Sequence, residues 1–349
     1  MQPSRRHLLL LLLLLLLLGV ASFITTSSAS SPVSRTFTVD QRGGGDFRSV
    51  QSAVNFVPDG NREWIRIHVK AGSYKEKVTI PSEKPYILLE GDGSRNTDIT
   101  FDAHAHTGID ELVTGGGSGN VSNSPTFYSA TFIVLADNFV ARNIAFKNTY
   151  NARDKSKPDQ AVAALVGGDR SAFYDCAFHG FQDTLCDFVG RHYFRRCLIS
   201  GGVDFVFGYG QSIYDGCTLE SNMPPSMRRQ PGWVTAHARL AAGSPGGFVF
   251  KGGSLRGSGR QYLGRAWNPF ATVVFYRMSM ADIVVPQGWQ AWHSPDVSSI
   301  TFAEVECEGR GANKTGRVAW EKQLDEEQVH KFVDITFIDD GWLSKQPSL

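Results

Sequence analysis

Val140-Ala-Arg-Asn-Ile144-Ala-Phe146, Ala172-Phe-Tyr-Asp-Cys176-Ala-Phe178, Tyr193-Phe-Arg-Arg-Cys197-Leu-Ile199 and Ile213-Tyr-Asp-Gly-Cys217-Thr-Leu219 repeat one short pattern, and a looser copy runs Val249-Phe-Lys-Gly-Gly253-Ser-Leu255. Their fifth positions are offset by 32, 21, 20 and 36 residues, an underlying period of about 21 with two insertions. A period near twenty, strand-prone copies and little helix predict an all-β solenoid whose coils stack as parallel strands, a right-handed parallel β-helix with short flanking helices. Leucine-rich repeats share the period but need recurrent Leu and Asn positions that are absent here. A β-sandwich or barrel is the competing architecture, since short strands with Gly-rich turns suit both. In the solenoid Cys176, Cys197 and Cys217 form an inward stack of small buried thiols, with a disulfide between two of them as the alternative.

Outside the repeat, strand-like runs occur at Trp64 to Val69, Tyr86 to Leu89, Thr131 to Leu135 and Thr272 to Tyr276. Asp46 is placed to cap a helix carrying Phe47, Val50, Ala53, Val54 and Val57 on one face, and a second helix is expected over Leu324 to Phe332.

The period also sorts the polar residues. Gln160 and Gln182 are 22 residues apart, and Asp183 and Asp204 are 21 apart, each close to one coil. Residues one coil apart are vertical neighbours with backbones ~4.8 Å apart, so two amides and two acids should share a patch. Singly, each such residue beside Gly or Thr reads as a turn cap, and a stacked polar ladder can itself be structural. The flanks argue for chemistry: Asp183 lies between Phe181 and Leu185, and Asp204 in Val203-Asp-Phe-Val-Phe207. Two acids close together in an apolar site cannot both ionise easily, so one keeps its proton while the other serves as nucleophile or base. A cation would decide which, and Arg265 in Leu263-Gly-Arg-Ala-Trp267 is the candidate.

Composition sets the outer limits. The 349 residues are 42% hydrophobic and 20% charged, enough for a sizeable core and against extensive disorder. Lys plus Arg number 35 against 34 Asp plus Glu, which gives no reason to expect a nucleic-acid or anionic-membrane partner. Arg5 and Arg6 precede a leucine run from Leu8 to Leu18 and a Ser/Ala/Thr-rich stretch ending near Ser30, so residues 1–30 read as a signal peptide and residues 31–349 as the functional domain. The apolar segment falls short of the ~20 residues of a membrane span. Export permits disulfides, but the five cysteines are odd in number and form neither a C-x-x-C nor a zinc ligand pattern. Asn120-Val121-Ser122 and Asn313-Lys314-Thr315 are glycosylation sequons.

Other chemistry finds little footing. There is no G-x-S-x-G elbow, H-E-x-x-H or Walker loop, and the nine histidines are scattered, reading as satisfied surface or core residues. Gly115 to Gly119 and Gly43 to Gly45 lack a phosphate-binding context and read as loops. Trp267, Trp289 and Trp292 could stack on sugar rings or pack in the core.

Five segments in order, Gly72-Ser-Tyr-Lys-Glu76, Gln160-Ala-Val-Ala163, Gln182-Asp-Thr-Leu185, Asp204-Phe-Val-Phe-Gly208 and Leu263-Gly-Arg-Ala-Trp267, make the chain from about Phe37 to Leu343 resemble the pectinesterases (pectin methylesterases) of plant cell walls. That family is built on a right-handed parallel β-helix. The resemblance implies that Asp204 is the nucleophile on a galacturonic acid methyl ester, that Asp183 is the acid and then the base, and that Gln182 with Gln160 donates to the oxyanion. It implies that Arg265 holds Asp204 ionised and that Trp267 and Phe205 bind substrate, with no metal and no organic cofactor. The expected partner is methyl-esterified homogalacturonan (pectin), with proteinaceous pectinesterase inhibitors as further candidates; no nucleic acid or membrane partner is expected, and the chain should act as a secreted monomer in the cell wall. Ala266 departs from the proline of many members and Cys186 from an aromatic in some, and the inhibitor-like pro-region of many relatives is missing. A pectin-depolymerising glycosidase or lyase on the same fold, and a catalytically silent wall-binding protein, are the competing functions.

Overall fold

The computed structural model describes residues 32–106, 124–227, 229–292, 294 and 296–348. The leader, the sequon at Asn120 and the glycine run from Gly115 lie outside them. The repeat is realised as a parallel β-helix. Each complete coil contributes one strand to each of three sheets, the two end strands join one sheet only, and every strand pairing among the described residues is parallel. One sheet has ten strands, from Val33–Val39 to Thr301–Val305, and two have eight. The connections take the right-handed sense usual for parallel strands.

The five-fold motif spans the corner between the ten-stranded sheet and an eight-stranded one. Its second position points inward, so Ala141, Phe173, Phe194, Tyr214 and Phe250 pair in register across successive strands, and Phe275 of the next strand continues the row from Phe250. The rings from Phe173 to Phe275 stack with centroids 5.0, 4.6, 4.5 and 4.7 Å apart, a continuous aromatic ladder through the core. The fourth position turns the chain: Asn143, Asp175, Arg196, Gly216 and Gly252 have φ of 54°, 53°, 52°, 62° and 64°. Asn, Asp and Gly tolerate this left-handed conformation best. Arg196 pays for being neither by pairing through Nε and Nη2 with both carboxylate oxygens of Asp175, one coil away, at 2.8 and 2.6 Å. The fifth position then returns inward, which buries Cys176, Cys197 and Cys217 as expected. All five cysteines are free thiols, so no disulfide joins the stack.

The ends and one flank are closed by other elements. The helix Val50–Phe56 covers the first coil with Val50, Ala53 and Val54. Its cap is Ser49 rather than Asp46; the Asp46 carboxylate instead accepts from the Thr38 N–H at 2.8 Å, because it sits in a loop folded back on the first strand. The C-terminal helix is Glu326–Val333, opened by a capping box of Asp325 and Gln328. Beyond it Ile338 and Trp342 pack on the outer face of the ten-stranded sheet, against Val140, Ala172, Tyr193, Ile213 and Val249. No helix among the described residues is long and apolar enough to cross a membrane.

Candidate active site

The remaining eight-stranded sheet carries the polar patch on four neighbouring strands, Leu185–Asp187, Val203–Gly208, Gly232–His237 and Gln261–Ala266. Gln182 bridges to Val203 just ahead of the first, and the Asp183 N–H donates to the Val203 carbonyl at 3.0 Å. Between the pairs Val203–Trp233 and Val206–Thr235 the second strand carries one residue more than its partner, a β-bulge. Asp204 lies in that bulge with φ 46°, and Asp183 has φ 61° in the coil before it. Both aspartates thus occupy a backbone conformation that few residues adopt, which re-aims their side chains from the regular pleat. Gly201 makes the bulge possible: a Cβ there would lie 2.2 Å from the Cβ of Phe205.

The bulge corrects one expectation. Phe205 does not line a groove; it is fully buried in the main core beside Val206, because the extra residue breaks the alternation of the strand. Phe207 takes the outer side instead, 6.0 Å from Trp267.

Asp204 and Arg265 are joined by two bonds. The guanidinium Nε donates to Oδ1 at 2.9 Å and Nη2 donates to Oδ2. The insertion between them is settled by register, since Arg265 pairs with Ala236 and Ala236 with Phe207. The Arg265 carbon Cζ lies 4.2 Å from the ring centre of Trp233 and 3.7 Å from that of Trp292. Two indoles therefore hold the plane of the guanidinium in the orientation a bidentate bond needs. Burial, then the negative charge of Asp204, push the Asp183 carboxyl well above the usual range, and Arg265 opposes this only at a distance. Burial lifts Asp204 as well, but there the hydrogen bonds and charge of Arg265 work directly against it. The Arg265 fork beside Asp204 alone thus favours a shared proton on Asp183 over one on Asp204.

Gln160 and Gln182 lie on adjacent coils, tied by the Ala161 N–H to the Gln182 carbonyl at 3.2 Å. Both are half-buried, and neither side-chain amide is bonded to another described residue. Gln160 is anchored through its backbone, its N–H donating to Asp159 Oδ1 and its carbonyl accepting from Ala105, each at 2.9 Å. Trp267 is 40% exposed beside Tyr209 and Trp292, at 6.3 and 6.4 Å between ring centres, and presents an open aromatic face. Such a site can offer a carboxylate nucleophile, a neutral acid next to it and two amide donors.

The structure gathers Gln160, Gln182, Asp183, Asp204, Arg265 and Trp267 along one sheet. Trp289 is core, stacked on Phe302 at 4.6 Å, whereas Trp292 belongs to the arginine clamp. Trp233 escaped the sequence reading altogether. Its segment follows an insertion and lacks the repeat, so only the requirement that some strand lie between those of Asp204 and Arg265 could have pointed to it. Cys186 is buried with Leu165 and Phe207 and reaches no surface. Among the histidines, His192 is a satisfied core residue, its Nδ1 2.5 Å from Asp187 Oδ1, and burial pushes His237 down to about 4. His104 and His106 are otherwise: both meet Asp159, next to Gln160.

Residues 36–341 match the family model described as pectinesterase. The chain belongs to the pectinesterase family. It is 43% identical over 319 residues to probable pectinesterase 29 of Arabidopsis thaliana, covering 88% of this chain and 89% of that one. It is 42% identical over 325 residues to putative pectinesterase 10 of the same plant, covering 91% and 90%. Among solved structures it is similar to pectin methylesterase from carrot, at 31% identity and a TM-score of 0.77, covering 89% of this chain and 95% of that one. The fold expected from the repeat and the pectinesterase resemblance thus hold together, and this pectinesterase is a carboxylic ester hydrolase.

Proposed function

We propose that this pectinesterase removes methyl esters from homogalacturonan through Asp204 and Asp183. The observation that carries the proposal is the pair of acids on consecutive coils, one clamped by Arg265 and the other, buried beside it, without an ion-pair partner among the described residues. The ionised Asp204 attacks the ester carbonyl carbon, and the tetrahedral oxyanion takes hydrogen bonds from the amides of Gln160 and Gln182. Collapse breaks the bond to methoxide, whose oxygen receives the Asp183 proton, leaving methanol and an anhydride between substrate and Asp204. Asp183, now a carboxylate, takes a proton from water as the water adds to the galacturonate carbonyl. Collapse releases the Asp204 carboxylate and the free uronic acid. Trp267, 40% exposed, offers a face for a sugar ring beside the Arg265 strand.

Methanol release from highly methylated pectin by the purified chain tests the activity, with new reducing ends as the mark of a depolymerase instead. Replacing Asp204 by Asn is expected to lower turnover by about 10³-fold or more, since a carboxamide is a poor nucleophile. Retained activity in that variant would overturn the role given to Asp204. We infer further that residues 1–30 direct export and are removed, leaving 31–349 as the catalytic domain; N-terminal sequencing of secreted protein checks this. Asn313, exposed and with Oδ1 accepting from the Thr315 N–H and hydroxyl at 3.0 and 2.7 Å, is then available for glycosylation.

A further inference from the structure

We propose that His104, His106 and Asp159 form a binding site for a single divalent cation of the zinc class, at the edge of the candidate site and separate from the ester chemistry. The Nδ1 atoms of His104 and His106 lie 2.7 and 2.5 Å from the same carboxylate oxygen, Oδ2 of Asp159. All three ligand atoms fall within 4.8 Å of one another. Zinc takes imidazole nitrogen and carboxylate oxygen at about 2.0–2.2 Å, so ligand atoms around one ion sit roughly 3.3 Å apart. The two nitrogen–oxygen contacts need only lengthen by less than an ångström to admit it.

The surroundings hold these ligands in place. Asp159 Oδ1 accepts from the Gln160 N–H at 2.9 Å, so Oδ2, the oxygen that both imidazoles meet, is the one turned to the ion and ligation is monodentate. The Asp159 backbone is fixed by the buried Asn151, whose Nδ2 donates to the Asp159 carbonyl at 2.7 Å and whose Oδ1 accepts from the Asp159 N–H at 3.0 Å. The ring of His104 stacks on Tyr150 with centroids 3.8 Å apart and planes 12° from parallel. His106 is the exposed member, its side chain 79% accessible, and provides the entry path. Two imidazoles and one carboxylate suit zinc, nickel or copper rather than calcium or magnesium, and three protein ligands leave a position open to water.

The site also has a structural consequence. The Ala105 N–H holds the Gln160 carbonyl, and Asp159 holds the Gln160 N–H, both at 2.9 Å. A cation bound here would therefore staple together the two segments that flank the peptide of Gln160.

Titration calorimetry with zinc chloride on the chelator-stripped chain near neutral pH tests the proposal. One equivalent should bind, and His106→Ala should weaken it by at least about 10-fold, the loss that even outer-shell substitutions cause. Zinc should raise the melting temperature of the parent chain and leave that of His106→Ala unmoved. Cobalt substituted for zinc should give the intense visible bands of a four-coordinate ion in the parent only. Absence of saturable zinc binding would overturn the proposal, as would equal affinity in parent and His106→Ala. Because binding is measured directly, failure here leaves the ester-hydrolase reading untouched, and failure of that reading leaves this one standing.

Discussion

Asp183 is a residue whose burial works against the fold. A carboxyl lifted by burial and by a neighbouring charge binds its proton more tightly in the native state than in the unfolded chain. Its contribution to stability is therefore fully present below the ordinary carboxylate value of 3.8 and is lost as pH rises through the native value. Asp183→Asn removes the ionisable group while keeping its shape. We expect the variant to melt at a higher temperature than the parent at neutral pH, to lose that advantage in acid, and to turn over pectin about 10²–10⁴-fold more slowly. Melting curves at two pH values beside a methanol assay would read all three. Arg265 makes the complementary case. Lysine would keep the charge but lose both the fork that grips Asp204 and the flat cation stacked between Trp233 and Trp292. Arg265→Lys should cut kcat by roughly 10-fold or more with a small change in KM, since the loss falls on the nucleophile's orientation rather than on sugar binding. A fall in substrate affinity with kcat intact would contradict that assignment. The two acids and the two glutamines could be grouped from the sequence because coil spacing makes residues about 21 apart into neighbours, whereas Arg265, 61 residues from Asp204 across an insertion, could be offered only as a candidate cation. Phe205 was misjudged because spacing carries no record of a bulge, and His104 with Asp159 was passed over because their separation of 55 residues fits no multiple of the coil period that the motif sets.

Corners, more than strands or bulges, are what the sequence writes at the level of the element. The motif that announced the fold is a corner, with one left-handed residue in the fourth position of each of its five copies, and its composition of Asn, Asp, Arg and Gly follows from that φ. The strands themselves are short and buried on both faces in places, as at Ser171–Tyr174, so they show no clean alternation from which a boundary could be read. The helix start shows the same limit: Asp46 and Ser49 are both acceptable caps, and only the fold of the preceding loop assigns Asp46 to Thr38. The bulge at Asp204 depends on Gly201, where a side chain would collide with Phe205 and with Thr184 Oγ1 at 2.8 Å. Gly201→Ala should force the bulged strand outward, costing about 1–3 kcal/mol of stability and shifting Asp204 from Arg265. Urea unfolding would measure the first effect and a loss of methanol release in the still-folded protein the second. An alanine variant with parent stability and parent activity would show that the bulge stands without this glycine.

For the molecule as a whole, the β-helix separates the labour of its faces. The sheet bearing Asp204 and Arg265 carries the candidate site, while the ten-stranded sheet is roofed by the segment around Ile338 and Trp342. Trp342 is buried there at 5% exposure, its indole N–H donating to the Ile338 carbonyl at 2.8 Å. Arg142 anchors the end of the chain by donating to the carbonyls of Ser348 and Pro347 at 2.7 and 2.6 Å, and the Tyr174 hydroxyl donates to Gln346 Oε1 at 2.6 Å. This roof is far along the sequence from the strands it covers, so no local pattern foretold it. The apolar stripe beneath it, from Leu88 through Val140, Ala172, Tyr193 and Ile213 to Val249, would otherwise face water on successive coils. Such a stripe on a stack of parallel strands is a surface on which chains associate. Trp342→Ala should therefore cost about 3–5 kcal/mol, lower the urea midpoint and raise binding of a hydrophobic dye. Its specific activity per folded molecule should equal that of the parent, because the sheet bearing the candidate site and its register are untouched. Should activity fall in proportion to something other than the folded fraction, the two faces are coupled through the aromatic ladder between them, and the division of labour drawn here would have to be abandoned.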